Sequence, residues 1–331
     1  MKKWMAIASI FLLASISSIK AQNYRVLEDT ARLLEQKLKS VSMHYVSIDG
    51  QSRFDGAEML ALDFNKEGKL VRERQFVPFD IIPYSNETLY YYEENRLVKK
   101  LEIDQHHANN KKDSVTARVL GGLVPDTHKI LYSYHSKRPV VVENEYSDPK
   151  SDEPNLITSR SYNGKGSLVK EEVRQSRAIK KKLKKSGAQV FVEKDVKYQY
   201  NALGLLIEKQ VSNTAAYNQY KTTYTYNSEG QLLKRHSENP KGAGTETTYT
   251  YSQGRLVAST SKRLGRDGTN TTTYTYNEDG LLVREDEQHS SGSTSANVYS
   301  YNEQGLLVSE TWINSKGEET FSFRYTYEFF N

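Results

Sequence analysis

The sequence predicts an all-β protein: tandem antiparallel β-hairpins joined into one long twisted or coiled sheet, entered through an N-terminal amphipathic helix. Three observations predict it: a repeat of constant period, turn residues at a fixed place in each copy, and β-branched and aromatic residues on both sides of the turn. One copy reads Tyr274-Thr275-Tyr276-Asn277-Glu278-Asp279-Gly280-Leu281-Leu282-Val283. Its second aromatic recurs at Tyr200, Tyr226, Tyr251, Tyr276, Tyr301 and Tyr327, at spacings of 26, 25, 25, 25 and 26 residues. Looser copies at Phe64, Tyr92, Tyr134 and Tyr162 step by 28, 42, 28 and, to Tyr200, 38 residues.

Within one copy, Thr272 to Asn277 reads as a strand, Leu281 to Arg284 as a second, and Asn277-Glu278-Asp279-Gly280 as a tight reversal. Asn bonds its own backbone, and Gly takes the left-handed conformation of a type I turn with a bulge. A three-residue loop sets Tyr276 opposite Leu282. The same register places Tyr226 opposite Leu232 and Tyr301 opposite Leu307. Where the turn has lost a residue, as in Tyr251-Ser252-Gln253-Gly254-Arg255-Leu256 and at Tyr92 to Leu97, a two-residue primed turn keeps Tyr opposite Leu. Side chains alternate along a strand, so Tyr274, Tyr276 and Leu282 share one face and Thr275 and Val283 the other.

In chain order, residues 1–21 carry Lys2 and Lys3, an apolar run from Trp4 to Ile16 and a small-residue end at Ala21, which is the pattern of a secretory signal peptide. The apolar run is shorter than the ~20 residues of a membrane-spanning helix. The expected address is outside the cytoplasm: periplasm, cell surface or extracellular space. With no cysteine, the exported chain has no disulfide to staple it. Removal of residues 1–21 takes away Lys2, Lys3 and Lys20, so the formal charge falls from +5 to +2. Residues 22–44 place Val26, Leu27, Ala31, Leu33, Leu34, Leu38 and Val41 near helical spacing, predicting an amphipathic helix that covers an end or face of the sheet. Residues 45–197 read as degenerate hairpins with insertions at Asp104 to Leu123 and Gln175 to Gln189. Residues 198–331 hold the regular repeats, joined by hydrophilic linkers at Ser237 to Thr245, Arg263 to Asn270 and His289 to Ala296 that read as long surface connections.

The motif Tyr-x-Tyr-Asn-x-x-Gly-x-Leu resembles the YD repeat of the Rhs and tyrosine-aspartate repeat family, with Asn201, Asn227, Asn277 and Asn302 where that family usually has Asp. The resemblance implies a curved ribbon of antiparallel hairpins, which in long members winds into a shell around a toxin. This chain is far shorter and shows no core-associated domain, acidic self-cleaving motif or C-terminal toxin, so encapsulation and autoproteolysis do not carry over. A shorter membrane-occupation-like repeat of the Tyr-x-x-Gly-x-Leu type is the nearest rival and implies the same meander.

The tyrosines are the main functional candidates. The chain has 24 Tyr against 2 Trp and 10 Phe, a choice that suits a surface half buried and half wet. Tyr224, Tyr226, Tyr249, Tyr251, Tyr274, Tyr276, Tyr299 and Tyr301 form the candidate ligand surface, either stacking sugar rings or serving as cross-strand ladders that hold the sheet together. Lys180, Lys181, Lys182, Lys184 and Lys185 form a candidate anion-binding insert, with a solvated loop or helix as the plain alternative. His106 and His107 with Asp104 lack a second cluster at ligand spacing, so no metal is expected.

Glu285-Asp286-Glu287 offers carboxylates for glycoside hydrolysis, but a triplet of this kind is usually a solvated strand end. Neither a nucleophile elbow nor a phosphate loop is present, and no catalytic residue or cofactor is assigned. An outer-membrane barrel needs strands of ~9–11 residues with an unbroken lipid-facing apolar row; here Leu282 and Val283 run into Arg284, Glu285 and Asp286, and mean hydropathy is −0.73. The sequence therefore points to an exported binding or scaffold protein that does not span the membrane, with carbohydrate or an envelope or protein partner as ligand and no nucleic acid. A secreted glycan hydrolase is the alternative, and the oligomeric state is left open.

Overall fold

A computed structural model describes residues 37–47, 55–77, 84–106, 126–135, 139–147, 149–186, 193–213 and 219–331. The strands are β1 (Leu38–Ser47), β2 (Glu58–Phe64), β3 (Leu70–Val77), β4 (Tyr84–Glu93), β5 (Arg96–His106), β6 (Asp126–Tyr134), β7 (Val140–Tyr146), β8 (Leu156–Tyr162), β9 (Leu168–Gln175) and β10 (Lys194–Tyr200). They continue as β11 (Leu206–Asn213), β12 (Tyr220–Tyr226), β13 (Leu232–Glu238), β14 (Gly244–Ser252), β15 (Arg255–Arg263), β16 (Thr269–Tyr276), β17 (Leu282–Gln288), β18 (Thr294–Tyr301), β19 (Leu307–Ile313) and β20 (Glu319–Phe329). One helix, α1 (Arg177–Ser186), interrupts the described strands between β9 and β10.

All twenty strands belong to one sheet. The sheet is not the open coiled ribbon that the repeat suggested, because β1 pairs with β2 on one side and with β20 on the other. The β1–β20 ladder runs from Leu38↔Phe329 to Ser47↔Phe321, so the connectivity is that of a closed antiparallel β-barrel. The predicted N-terminal helix is overturned where it is described: Lys37 is a turn and Leu38–Ser47 a strand, while residues 22–36 and the signal peptide lie outside the described residues. Val41, Met43, Tyr45 and Ser47 are buried at a period of two, with half-buried Ser42, His44 and Val46 between them. Leu34, Leu38 and Val41 mimic helical spacing, but the β-branched and aromatic alternation that follows takes the segment into the sheet.

The chain clusters into two compact units, residues 1–90, 102–125 and 297–331 in the first and residues 91–101 and 126–296 in the second. In the first unit the core is a tight patch across neighbouring strands: Val41 faces Leu62 and Tyr327, Met43 faces Leu60 and Tyr325, and Tyr45 faces Phe323. Leu38, Val41, Leu60, Leu62, Phe323 and Tyr325 are all buried; such side chains each contribute roughly 1.5–3 kcal/mol on leaving water. Two carboxylates enter this patch with phenol donors, Glu73 accepting from the Tyr90 hydroxyl at 2.8 Å and Glu310 from Tyr325 at 3.2 Å. Burial, then the Glu310 charge, pushes the Tyr325 phenol far above its ordinary range.

The second unit is a meander in which each strand from β6 to β17 pairs with its neighbour in sequence. Its predicted register holds: Tyr226 faces Leu232, Tyr251 faces Leu256 and Tyr276 faces Leu282. The turn chemistry holds as well. Asn277 N–H donates to Leu281 O (2.9 Å), Gly280 N–H to Asn277 O (3.0 Å), and the Asn277 Oδ1 accepts from Leu281 N–H (2.8 Å). Gly280 sits at φ 80° and the two-residue turn holds Gln253 at 50° and Gly254 at 79°. Two of the three hydrophilic linkers turn out to be the same device at the other end of the strands, closed by Asn239 N–H to Ala243 O and by His289 N–H to Ser293 O, both with short strand connections rather than long loops.

The structure adds a bulge that strict alternation did not include. The register slips between Thr275 and Tyr276, so Val283 is the extra residue and Thr275 faces Arg284 instead. The same slip precedes Phe64, Tyr162, Tyr200, Tyr226 and Tyr251. It moves the third residue past each leucine onto the tyrosine face, where Lys209 lies opposite Tyr198, Arg235 opposite Tyr224 and Glu285 opposite Tyr274.

Candidate binding surface

In the second unit the two faces of β10 to β17 have different chemistry. One carries the tyrosines; the other carries threonines and ion pairs. On the tyrosine face Tyr224, Tyr226, Tyr249, Tyr251, Tyr274 and Tyr276 are all half-buried, while Thr225, Thr250, Thr273 and Thr275 on the opposite face are exposed. Tyr299 and Tyr301 belong to the first unit, where Tyr299 is buried and Tyr301 half-buried.

The tyrosines fall into two classes. In most repeats the second tyrosine donates its hydroxyl backwards to the leucine carbonyl near the start of the preceding hairpin's return strand. Tyr200 donates to Leu168 O (2.8 Å), Tyr226 to Leu206 O (2.7 Å), Tyr251 to Leu232 O (3.1 Å) and Tyr276 to Leu256 O (2.9 Å). Tyr327 repeats the bond to Leu307 O at 2.8 Å in the first unit, and Tyr134 makes it to Leu97 O at 2.9 Å in the second. These hydroxyls satisfy ladder-end carbonyls and tie neighbouring hairpins together, a structural duty.

The first tyrosines vary: in the first unit Tyr90 donates to Glu73 and Tyr325 to Glu310. Tyr274 exchanges a 3.2 Å hydrogen bond with Ser259, whereas the Tyr224 and Tyr249 hydroxyls have no partner among the described residues. Burial pushes the Tyr224 phenol up, with Arg235 opposing that rise.

Charges line the same face. Arg160 donates to Glu143 at 2.9 Å and to Glu171 at 3.0 Å, and Lys194 donates to Glu171 at 3.2 Å. Burial alone would raise the Glu171 carboxyl, but Arg160 and then Lys194 hold it below its ordinary value. A carboxylate kept ionised in this way is unsuited to protonating a leaving group. Lys209 is pulled down by burial and then by Lys194. A cleft of about 420 Å³ opens at the strand ends, lined among others by Lys194, Asn213, Gln219, Tyr220 and Glu238. Tyr220 is 37% exposed there.

On the opposite face, Glu246 is bound by Lys234 (2.7 Å), Lys262 (3.0 Å) and His236 (3.2 Å); Lys221 pairs with Glu208 (2.8 Å) and Arg284 with Asp286 (2.7 Å). Glu285 and Asp286 of the acidic triplet point to different faces, since Glu285 lies opposite Tyr274 and Asp286 opposite Thr273. In the first unit, the face opposite the core likewise carries Arg74–Glu58 (2.8 Å) and Lys39–Glu328 (3.0 Å).

The lysine insert is helical. Ser176 caps it, its hydroxyl accepting from Ile179 N–H at 3.3 Å, and Lys180 is ion-paired to Glu193. Lys181, Lys184 and Lys185 are exposed. His106 ends β5 and His107 lies outside the described residues; among the described residues no group of three side chains is placed to hold a metal ion.

Sequence reasoning singled out the tyrosines and lysines but gave neither the second-tyrosine tether nor the charged position that follows several of the leucines. The signal was present in Leu168/Glu171, Leu206/Lys209, Leu232/Arg235 and Leu282/Glu285, a charge three residues after leucine. Strict alternation sends that position to the wrong face unless a bulge is included.

No family model matches the sequence, and no curated protein matches it. Among solved structures, a porin-like protein from Bacteroides uniformis is similar at 12% identity and a TM-score of 0.37, over 88% of this chain and 98% of that one. TcdB2-TccC3 without its hypervariable C-terminal region is similar at 12% identity and a TM-score of 0.38, over 84% of this chain and 15% of that one. A porin-like protein from Bacteroides vulgatus is similar at 10% identity and a TM-score of 0.23, over 88% of this chain and 98% of that one. With TM-scores of 0.23 to 0.38, these likenesses carry neither family nor function to this chain, and the repeat resemblance rests on its own residues.

Proposed function

We propose that the protein is an exported binding or scaffold protein of the cell envelope, without catalytic activity, that takes a carbohydrate or a protein partner on its tyrosine face. The observation that carries this reading is the division of labour among the tyrosines. The second of each pair is spent on the fold, while the rings of Tyr224 and Tyr249 stay half-exposed with unused hydroxyls, and exposed Tyr220 stands at the cleft. Aromatic rings with adjacent polar groups suit a ligand that offers both C–H faces and hydroxyls.

The same faces support a protein held in water rather than in lipid. A membrane barrel needs an apolar band ~25 Å tall on its outer surface. In the second unit one face carries Lys221, Lys234, Glu246, Lys262 and Arg284, and the other carries Arg160, Glu171, Lys209, Arg235 and Glu285. Burying either set in hydrocarbon costs several kcal/mol for each unpaired charge near the midplane.

The test uses residues 22–331 and the Tyr224→Ala/Tyr249→Ala variant against a glycan array and a solubilised envelope extract. Retention of a specific glycan or protein by the parent, weakened at least tenfold in the variant, is expected. Parent and variant retaining the same set equally overturns the tyrosine face as the site, and partition of the folded parent into detergent overturns the water-exposed reading.

A further inference from the structure

We propose that α1 is a docking stripe for a linear acidic polysaccharide, a chain of sugars bearing carboxylates at regular intervals. The proposal deepens the carbohydrate reading above and rests on it, but it concerns a different surface from the tyrosine face.

The composition of the helix is one-sided. Arg177, Lys180, Lys181, Lys182, Lys184 and Lys185 place six cations in ten residues, with no acid among them. The whole chain carries a formal +5, so α1 with +6 leaves the remainder at −1. Like charges four residues apart on a helix, here Arg177/Lys181, Lys180/Lys184 and Lys181/Lys185, oppose its formation by about 0.2–0.5 kcal/mol per pair. The helix is held against that repulsion by the Ser176 cap and by the ion pair of Lys180 with Glu193.

Geometry then sorts the cations. At about 100° per residue, Arg177, Lys181, Lys184 and Lys185 fall within one stripe roughly 100° wide, and all four are exposed. Ile179 lies on the opposite side and is half-buried. At a rise of about 1.5 Å per residue, the stripe is roughly 12 Å long, with Arg177, Lys181 and the adjacent Lys184/Lys185 pair some 4.5 to 6 Å apart along the axis.

The shape of this stripe selects the partner. A helix that lies in a membrane surface sets apolar residues beside its cations and buries them among acyl chains. The described exposed residues of this stripe are all cationic, and Ile179 turns toward the body of the protein, so nothing on the stripe enters a bilayer. Grooves for single-stranded nucleic acid combine cations with aromatic rings that stack on bases, and α1 has no aromatic residue. A linear polyanion with one carboxylate per sugar asks only for a row of mobile, hydrated point charges at similar spacing, which lysine supplies.

The experiment measures binding of oligogalacturonate to residues 22–331 by fluorescence anisotropy. The parent is expected to bind at 50 mM salt and to weaken about tenfold by 200 mM, because salt screens exposed charges over a Debye length of roughly 8–10 Å. Lys181→Gln/Lys184→Gln/Lys185→Gln is expected to bind at least tenfold more weakly at 50 mM salt, and the corresponding triple arginine variant to bind as the parent does. Equal binding by parent and glutamine variant overturns the proposal. So does loss of binding in the arginine variant, which reports helix packing rather than charge. Tighter capture of phosphatidylglycerol vesicles or duplex DNA than of oligogalacturonate also overturns it, in favour of that polyanion. Neutral-glycan binding that depends on Tyr224 and Tyr249 is indifferent to these lysines, so the two readings fail separately.

Discussion

Glu246 illustrates how much of a residue's role is set by register. Its neighbours in sequence are threonines, and nothing local marks it out. Cross-strand pairing with His236 and Lys262, together with Lys234 on the adjacent strand, makes it the centre of an ion cluster. Hydrogen bonds from Lys234, then Lys262, hold its carboxyl down to about 2. A carboxylate whose folded pKa is depressed adds stability above its unfolded value and loses it as pH falls through the folded one. The window is therefore pH about 4.5 down to about 2. The melting temperature of the parent is expected to drop across it, and Glu246→Gln to flatten that part of the profile while lying below the parent at neutral pH. Identical profiles for the two proteins count against the cluster. At this scale the sequence was legible for the tyrosines, which repeat, and silent for Glu246, whose partners lie 10 to 16 residues away and depend on two ladders.

At the scale of the hairpin, period, turn and aromatic–leucine pairing were all readable, because each is written in contiguous residues. What contiguous residues do not state is the slip after the leucine, since Leu282-Val283-Arg284 alternates as smoothly as any strand. Nor do they state that Tyr226 reaches back to the Leu206 carbonyl of another hairpin. A part-buried hydrogen bond of this kind contributes about 0.5–1.5 kcal/mol net. Tyr226→Phe is accordingly expected to lose about that much stability in urea unfolding, and Tyr224→Phe, whose hydroxyl has no partner, to lose less than half as much. Equal losses would remove the distinction between tether and free ring. The helical reading of Leu38 and Val41 failed for a related reason: a short apolar run fits either period until its pairing partner, here β20, is known.

For the molecule as a whole, the decisive pairing joins residues almost three hundred positions apart, Val41 with Tyr327 and Met43 with Tyr325. A repeat says how one hairpin follows another but not whether the last meets the first, so closure was the least legible feature. It alters what truncation does. In an open ribbon, loss of residues 314–331 trims an end. Here it strips β1 of one whole partner and uncovers Val41, Met43 and Tyr45. Hydrogen exchange on the truncated chain is expected to show lost protection along β1, while β12 to β15, paired only with sequence neighbours, keep theirs. Full protection of β1 after truncation would contradict the ladder.

The backward tyrosine bonds give the chain a direction in time. Each donor lies 19 to 37 residues after its acceptor, so in a chain synthesised from the N-terminus the carbonyl is already in place when its tyrosine emerges. At roughly 5–20 residues per second the wait is a few seconds. The seam runs on another clock: Met43 and Tyr45 leave the ribosome with the first described strand, Tyr325 and Phe323 with the last. One edge of β1 therefore stays open through the whole of synthesis, and in that interval an exposed strand edge is open to another chain.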